Sequence, residues 1–293
     1  MKSGFVSLIG RPNVGKSTLL NTLINQKIAI TSNKPQTTRN IIQGIYNEEG
    51  YQIVFVDTPG IHKPLNRLGK VLNKEAESFT KDVDVILLIV DAKEGIGAGD
   101  KKIINSLDNT SSKVILVLNK IDKMTKEEIL KCINDYKDLY DFAEIVPISA
   151  ITKDNVNTLL DIIKKYLTDT MRYFDNDTIT TSTISFLSSE FVREKIFRLT
   201  EEEIPHSITC ITSSFEEKKN IVNITVDIIV DRDSIKKIII GKQGSLLKTI
   251  GTEARKDIEA LLGKKVYLEL YVKTIKNWRD KEKYLKELGL NEK

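Results

Sequence analysis

Phe5-Val6-Ser7-Leu8-Ile9-Gly10-Arg11-Pro12-Asn13-Val14-Gly15-Lys16-Ser17-Thr18-Leu19 is the stretch on which the fold turns. The apolar run Phe5–Ile9 reads as a short buried strand, and a helical pattern starts at Lys16. Between them, Gly10 and Gly15 bracket four residues and are followed by Lys16 and Ser17, the spacing of a phosphate-binding loop. Glycine at those two positions lets the backbone curl until several N–H groups face one anion. The N-terminus of the next helix adds free N–H groups and partial positive charge. Lys16 can reach the outer phosphates, and the Ser17 hydroxyl can ligate Mg²⁺. The candidate nucleotide contacts here are Gly10, Arg11, Pro12, Asn13, Val14, Gly15, Lys16, Ser17 and Thr18.

Outward from this stretch, strand-like and helix-like segments alternate through residue 168. Apolar runs fall at 5–9, 41–46, 53–56, 85–90, 114–118 and 145–148, with helical patterns at about 16–26, 67–81, 99–108, 126–140 and 154–168. The alternation predicts a three-layer α/β domain with a mostly parallel sheet. Ligands of such sheets bind at the carboxyl ends of the strands, and the remaining motifs lie there. The run Ile53–Val56 leads into Asp57-Thr58-Pro59-Gly60-Ile61, an aspartate placed to hold Mg²⁺ and a glycine that lets its N–H approach the γ-phosphate. Lys16, Thr38, Asp57 and Gly60 are the candidate catalytic residues, and Ser17, Thr38 and Asp57 the candidate metal ligands.

The run Val114–Leu118 leads into Asn119-Lys120-Ile121-Asp122. A carboxylate at Asp122 can accept from the ring N–H and the exocyclic amine of guanine. Adenine offers neither donor there and would leave a buried carboxylate unpaired. Asn119 would fix the loop, Lys120 would lie along the base, and the N–H of Ala150, after Ser149, could meet the guanine oxygen. Substrate and product are then GTP and GDP.

The first 231 residues hold 29 Lys and Arg against 32 Asp and Glu, while residues 232–293 hold 16 against 9, within a net charge of +4. A basic C-terminal third suggests a polyanion-binding module. Residues 169–184 break the helical pattern with Asp, Asn and a Thr/Ser cluster and read as a linker between a first domain, 1–168, and a second, 185–293. In the second, a helix is expected at 188–199, capped by Ser188 or Ser189, then a hairpin of 206–213 and 221–230. A helix at 235–240, the turn Gly241-Lys242-Gln243-Gly244, an amphipathic helix to Leu262 and a strand at 265–272 complete an α-β-β-α-α-β order. A GxxG turn between two helices can clamp a single-stranded backbone, because only glycine admits phosphates so close to the main chain. Gly241, Lys242, Gln243, Gly244 and Lys248 are the candidate RNA contacts. That order is the type II KH arrangement.

Cys132 and Cys210 stand far apart without neighbouring histidine, which fits a reducing compartment and excludes a disulfide framework. His62 and His206 are the only histidines, so a histidine metal centre is not expected. The N-terminal residues enter the first strand pattern directly, so no signal peptide is expected. The run Val83–Val90, interrupted by Asp84, is too short to span a bilayer.

With four nucleotide motifs in order, residues 4 to about 168 resemble the TRAFAC-class GTPases, and GRPNVGKS, Thr37-Thr38-Arg39 and DTPG resemble the Era/TrmE/Der group. The stretch IIIGKQGSLLKTIGTEARKDIEALLGKKVYLELYVK resembles the KH domain of the Era family. The resemblance implies that Thr38 closes over Mg²⁺ when GTP is bound, within a switch at 31–40. It implies a partner, the 3′ end of 16S ribosomal RNA, and a role in assembly of the small ribosomal subunit. It also implies a cytoplasmic protein with peripheral association at the inner face of the cell membrane, and nothing demands more than a monomer. Ile61 stands where Ras-like proteins carry a water-orienting glutamine, so intrinsic hydrolysis should be slow. By the same resemblance Asn13 would help bind a stimulating K⁺. Arg11 and Arg39 are expected to be structural or solvated. Two alternatives remain open: an RNA-binding scaffold with little turnover, and a tRNA-modification or membrane-linked GTPase.

Overall fold

The computed structural model describes residues 1–32, 34, 37–59, 83–108, 110–201 and 204–281. Its chain contacts divide between Thr181 and Ser182 into two compact units. The expected helix at 67–81, Gly60, Ile61 and the tail 282–293 lie outside the described residues.

The first unit is built on a six-stranded sheet in the order β2-β3-β1-β4-β5-β6. Its strands are β1 (Lys2–Ile9), β2 (Ile42–Glu48), β3 (Tyr51–Asp57), β4 (Val85–Asp91), β5 (Lys113–Asn119) and β6 (Glu144–Pro147). Only β2 is antiparallel to its neighbour; the other pairings are parallel. Central strands covered on both faces read as continuous apolar runs. Every residue of β4, VILLIVD, is accordingly buried. The helices are α1 (Lys16–Ile24), α2 (Ala98–Asn105), α3 (Lys126–Lys137) and α4 (Val156–Lys165). Thr125 caps α3 by accepting the Glu128 N–H (3.3 Å) while Glu128 reaches back to the Thr125 N–H (2.9 Å), a capping box. Helix α3 stops at Lys137, short of the expected residue 140, and Tyr140 instead donates its hydroxyl to the Leu107 carbonyl at 3.2 Å.

The segment expected as linker begins by running along this sheet. Ser3 and Asp169 exchange backbone hydrogen bonds (2.8 and 3.1 Å), and the Ile45 N–H donates to Ile179 (2.9 Å). The buried Gln52 amide accepts from the N–H groups of Tyr173 and Phe174 (2.8 and 3.0 Å) and donates to the Phe174 carbonyl (2.8 Å). The Tyr173 ring meets Phe5 edge-on at 4.8 Å between centroids. The polar residues that suggest a loop in sequence thus serve to fasten an irregular strap.

The second unit carries α5 (Ile184–Leu199), β7 (Ile208–Glu217), β8 (Ile221–Val230), α6 (Asp233–Ile240), α7 (Ser245–Leu262) and β9 (Lys265–Thr274). The sheet order is β7-β8-β9, with β8 antiparallel to β7 and parallel to β9. Helix α5 starts one turn earlier than expected. Thr183 accepts the Phe186 N–H and is its cap, while Ser188 and Ser189 lie inside the helix and donate to the carbonyls of Ile184 and Phe186 (both 2.8 Å). Bonding back to the preceding turn satisfies a mid-helix serine without ending the helix. Trp278 is fully buried and its indole N–H donates to the Ser207 carbonyl at 3.0 Å, so it packs as an anchor.

Candidate functional site

The loop between β1 and α1 has the curled backbone that its glycines permit. Gly10, Asn13 and Gly15 adopt φ of 150°, 65° and 101°. A Cβ on Gly10 would lie 2.2 Å from the Ile89 carbonyl, and one on Gly15 would lie 2.3 Å from Asn119 Nδ2. Lys16 is only 6% exposed and folds its Nζ over the loop, donating to the carbonyls of Gly10 (3.1 Å) and Arg11 (3.0 Å). Burial lowers its pKa, opposed by the charge of Asp57. Thr18 follows in the first turn of α1.

Asp57 ends β3 with no exposed surface. Ser17 Oγ donates to its Oδ2 at 2.5 Å and lies 2.8 Å from Thr38 Oγ1. Burial pushes the Asp57 carboxyl up to about 6, against the pull of Lys16 and the Ser17 hydrogen bond. Its Oδ1 is buried with no hydrogen-bond partner among the described residues. Three oxygen-bearing side chains that are far apart in sequence therefore meet at one point, with an orphaned carboxylate oxygen among them. Such a hard-oxygen set, short of a full protein cage, suits Mg²⁺, which keeps waters and binds substrate phosphates. Among the described residues no cluster of three or more His, Cys, Asp or Glu could hold a metal by itself. Each charge here is penalised by desolvation while it stands alone, and a phosphate with its cation would relieve both. Thr58 is held from behind, donating its hydroxyl to the Leu8 carbonyl at 2.9 Å, and Pro59 follows it.

The base side is assembled by Asn119 at the end of β5. Its Nδ2 donates to the Val14 carbonyl (2.8 Å), and its Oδ1 accepts from the N–H groups of Lys120 (2.8 Å) and Ala150 (3.0 Å). One amide joins the phosphate loop, its own loop and the loop after β6. The expected N–H donor of Ala150 is thus engaged within the protein by Asn119. Asp122 lies in a single tight helical turn, Ile121–Lys123, and accepts the Ser149 hydroxyl at 2.6 Å. Ile121 N–H donates to Ile148 across the two loops at 3.3 Å. Lys120 donates to the Asn13 carbonyl (2.8 Å) and pairs with Asp91 (2.5 Å).

Sequence reasoning missed the residues behind these loops. Asp91 ends β4 and orients Lys120. The Arg11 side chain turns away from the phosphate position: its Nε meets the fully buried Asp100 at 2.9 Å and its Nη2 lies 3.3 Å from Glu94. A Cβ on Gly99 would stand 2.7 Å from the Arg11 side chain, which explains glycine at the start of α2. Asn21 of α1 accepts from the N–H groups of Ile28 and Ala29 (both 2.9 Å) and donates to the Ala29 carbonyl (2.7 Å), fixing the chain that leads toward Thr38. Strand-end position would have suggested Asp91. Nothing in the local sequence pairs Arg11 with a residue 89 positions away.

In the second unit, Gly241, Gln243 and Gly244 adopt φ of 74°, 52° and 77° between α6 and α7. A Cβ on Gly241 would lie 2.9 Å from Leu246, whereas one on Gly244 would meet nothing within 4 Å. Lys242, Gln243 and Lys248 are exposed. The turn presents main chain that is open at Gly244 beside exposed lysine side chains, the form that admits a phosphate backbone.

Residues 5–120 match the family model of a 50S ribosome-binding GTPase, and residues 203–279 match that of a KH domain. A crystal structure of a point variant of Aquifex aeolicus Era bound to GDP and AlF₄⁻ is 41% identical to this chain, covers 99% of both chains and superposes with a TM-score of 0.95. A structure of Era in complex with MgGDPNP and nucleotides 1506–1542 of 16S ribosomal RNA is likewise 41% identical over 99% of each chain, with a TM-score of 0.94.

Proposed function

Since this chain belongs to the Era family of GTPases, we propose that it hydrolyses GTP to GDP and phosphate and binds the 3′ end of 16S ribosomal RNA, assisting assembly of the small ribosomal subunit. The observation that carries the reading is the meeting of Lys16, Ser17, Thr38 and Asp57 beside a base site that Asn119 stitches to the same loop. The description of the GTPase family model names the 50S particle. The full-length likeness and the second, KH-matching unit favour the 16S RNA instead.

The chain's part in catalysis is positioning and neutralisation of charge rather than covalent chemistry. The curled backbone of residues 10–15 holds the phosphates, Lys16 leaves its carbonyl contacts to reach the outer ones, and Asp122 selects guanine. Ser17, Thr38 and Asp57 would hold Mg²⁺, which when bound supplies positive charge to the phosphate oxygens. Ile61 gives no side chain that can orient water, which supports a slow intrinsic rate. Asn13, at the matching motif position, supports stimulation by K⁺. RNA is held in the GTP state and released or handed on after hydrolysis. We place the protein in the cytoplasm as a monomer, with peripheral, charge-driven association at the inner membrane face. Among the described residues no helix is long and apolar enough to cross a membrane.

The test is GTP hydrolysis in KCl and in NaCl, with and without an oligonucleotide matching the 16S 3′ end. Faster turnover with the RNA is expected, and a K⁺ preference that Asn13→Ala removes. A rate near zero that ignores both would instead favour the scaffold alternative.

A further inference from the structure

We propose that the outer face of α7 is a phosphate track that carries the bound RNA beyond the nucleotides held at Gly241–Gly244; this rests on the RNA-binding reading above. Ile250, Ala254 and Ile258 are buried on one side of α7. At about 100° per residue, Lys248, Thr252, Arg255 and Lys256 fall together on the opposite side, and all four are exposed. The stripe begins in the first turn after Gly244 and extends about 12 Å along the helix at 1.5 Å per residue.

Several cations of this unit are neutralised by acids, whereas, among the described residues, those on the α7 face are not. On the sheet side Lys218 pairs with Glu216, Lys264 with Glu217, Lys273 with Asp227 and Arg279 with Asp231. Lys242, Lys248, Arg255 and Lys256 have no ion pair among the described residues. The acid that shares the α7 face, Glu259, turns its carboxylate inward to the Val266 N–H at 3.0 Å, and Glu253 sits at the margin. A solvated surface helix ordinarily intersperses both signs in pairs. Here cations are left unneutralised in a row that continues the GxxG turn, with the hydroxyls of Thr249 and Thr252 donating to the carbonyls of Ser245 and Lys248 one turn back. A regularly charged polyanion that is already anchored at the turn fits such a row, and each phosphate it neutralises releases counterions.

The experiment compares the full-length protein with the double variant Arg255→Gln/Lys256→Gln and with Gly244→Asp. Each is titrated with a tetranucleotide and a dodecanucleotide of the 16S 3′ end over a range of KCl concentrations. Thermal unfolding of each variant serves as the folding control. For the double variant we expect unchanged tetranucleotide affinity, a loss of about tenfold on the dodecanucleotide near physiological salt, and a salt slope shallower by about 1.4, or about 0.7 for each phosphate left unneutralised. Unchanged dodecanucleotide binding, or an equal loss on both oligonucleotides, overturns the track. Binding of neither oligonucleotide by the unaltered protein, or no effect of Gly244→Asp, defeats the RNA-binding reading itself. Vesicles of phosphatidylcholine with phosphatidylglycerol provide the last arm. If the double variant loses vesicle binding while keeping full dodecanucleotide affinity, the face serves a membrane and the proposal fails.

Discussion

Asn119 shows how one side chain can set a whole site. Its two amide atoms serve three backbone groups, in the phosphate loop, in its own loop and at Ala150. The amide also fills the space that a side chain at Gly15 would need. Replacing it with alanine would strand a buried carbonyl at Val14 and a buried N–H at Ala150. Unsatisfied buried groups cost about 1–3 kcal/mol each, and part of that is recovered as the loops relax. Asn119→Ala is expected to lower stability by about 2–3 kcal/mol in the nucleotide-free protein. It should also weaken GDP binding by more than about tenfold, since both loops that meet the ligand are deprived of their common tie. Denaturant melts and fluorescent-GDP titrations would measure the two effects. A drop in stability with GDP affinity intact would confine Asn119 to a packing role.

Among the elements, the two glycines of the GxxG turn are predicted to behave differently, although the sequence writes them alike. Both need positive φ, which costs any substituted residue about 1 kcal/mol. At Gly241 the added methyl would also press against Leu246 at the start of α7, whereas at Gly244 it meets open space. Gly241→Ala should therefore lower the unfolding midpoint of the second unit clearly more than Gly244→Ala. The latter should instead weaken oligonucleotide binding, by filling the room a phosphate would use; melting curves and titrations of both variants separate the effects. The turn itself was legible, since the pattern helix-GxxG-helix is local. So were the strand ends that carry Gly10, Asp57 and Asn119, because apolar runs stop where motifs start. The start of α5 at Thr183 was less so: Ser188 and Ser189 offer equally good cap chemistry, and the structure instead caps with Thr183 and turns both serine hydroxyls back onto helix carbonyls. Arg11 with Asp100, and Lys120 with Asp91, were not legible, because the partners are 89 and 29 residues apart and meet only once the parallel sheet is built.

At the scale of the molecule, where the first unit ends depends on packing rather than on composition. Residues 169–184 look like a linker because they are polar and lack periodicity. Yet Asp169 pairs with Ser3, Tyr173 and Phe174 complete the buried Gln52, and Ile179 and Thr180 bond to β2 at Ile45 and Gln43. Cutting after residue 168 would remove those partners from β1, β2 and β3 together and leave the Gln52 amide, 0% exposed, facing water or void. Backbone and side-chain hydrogen bonds contribute about 1 kcal/mol each in net terms, and the edge contact of Tyr173 with Phe5 adds about 0.5–1.5 kcal/mol. A fragment of residues 1–181 should therefore be about 3–5 kcal/mol more stable than one of 1–168, a difference of roughly 10 °C in melting temperature for a unit of this size. The comparison is made by scanning calorimetry of the two fragments with the same bound nucleotide, since ligand binding raises both melting points. Equal melting temperatures would mean that the strap only lies on the sheet. A large difference would make it part of the first unit's cooperative core, so that any signal passing from bound nucleotide to the second unit starts at Ser182 rather than at the end of α4.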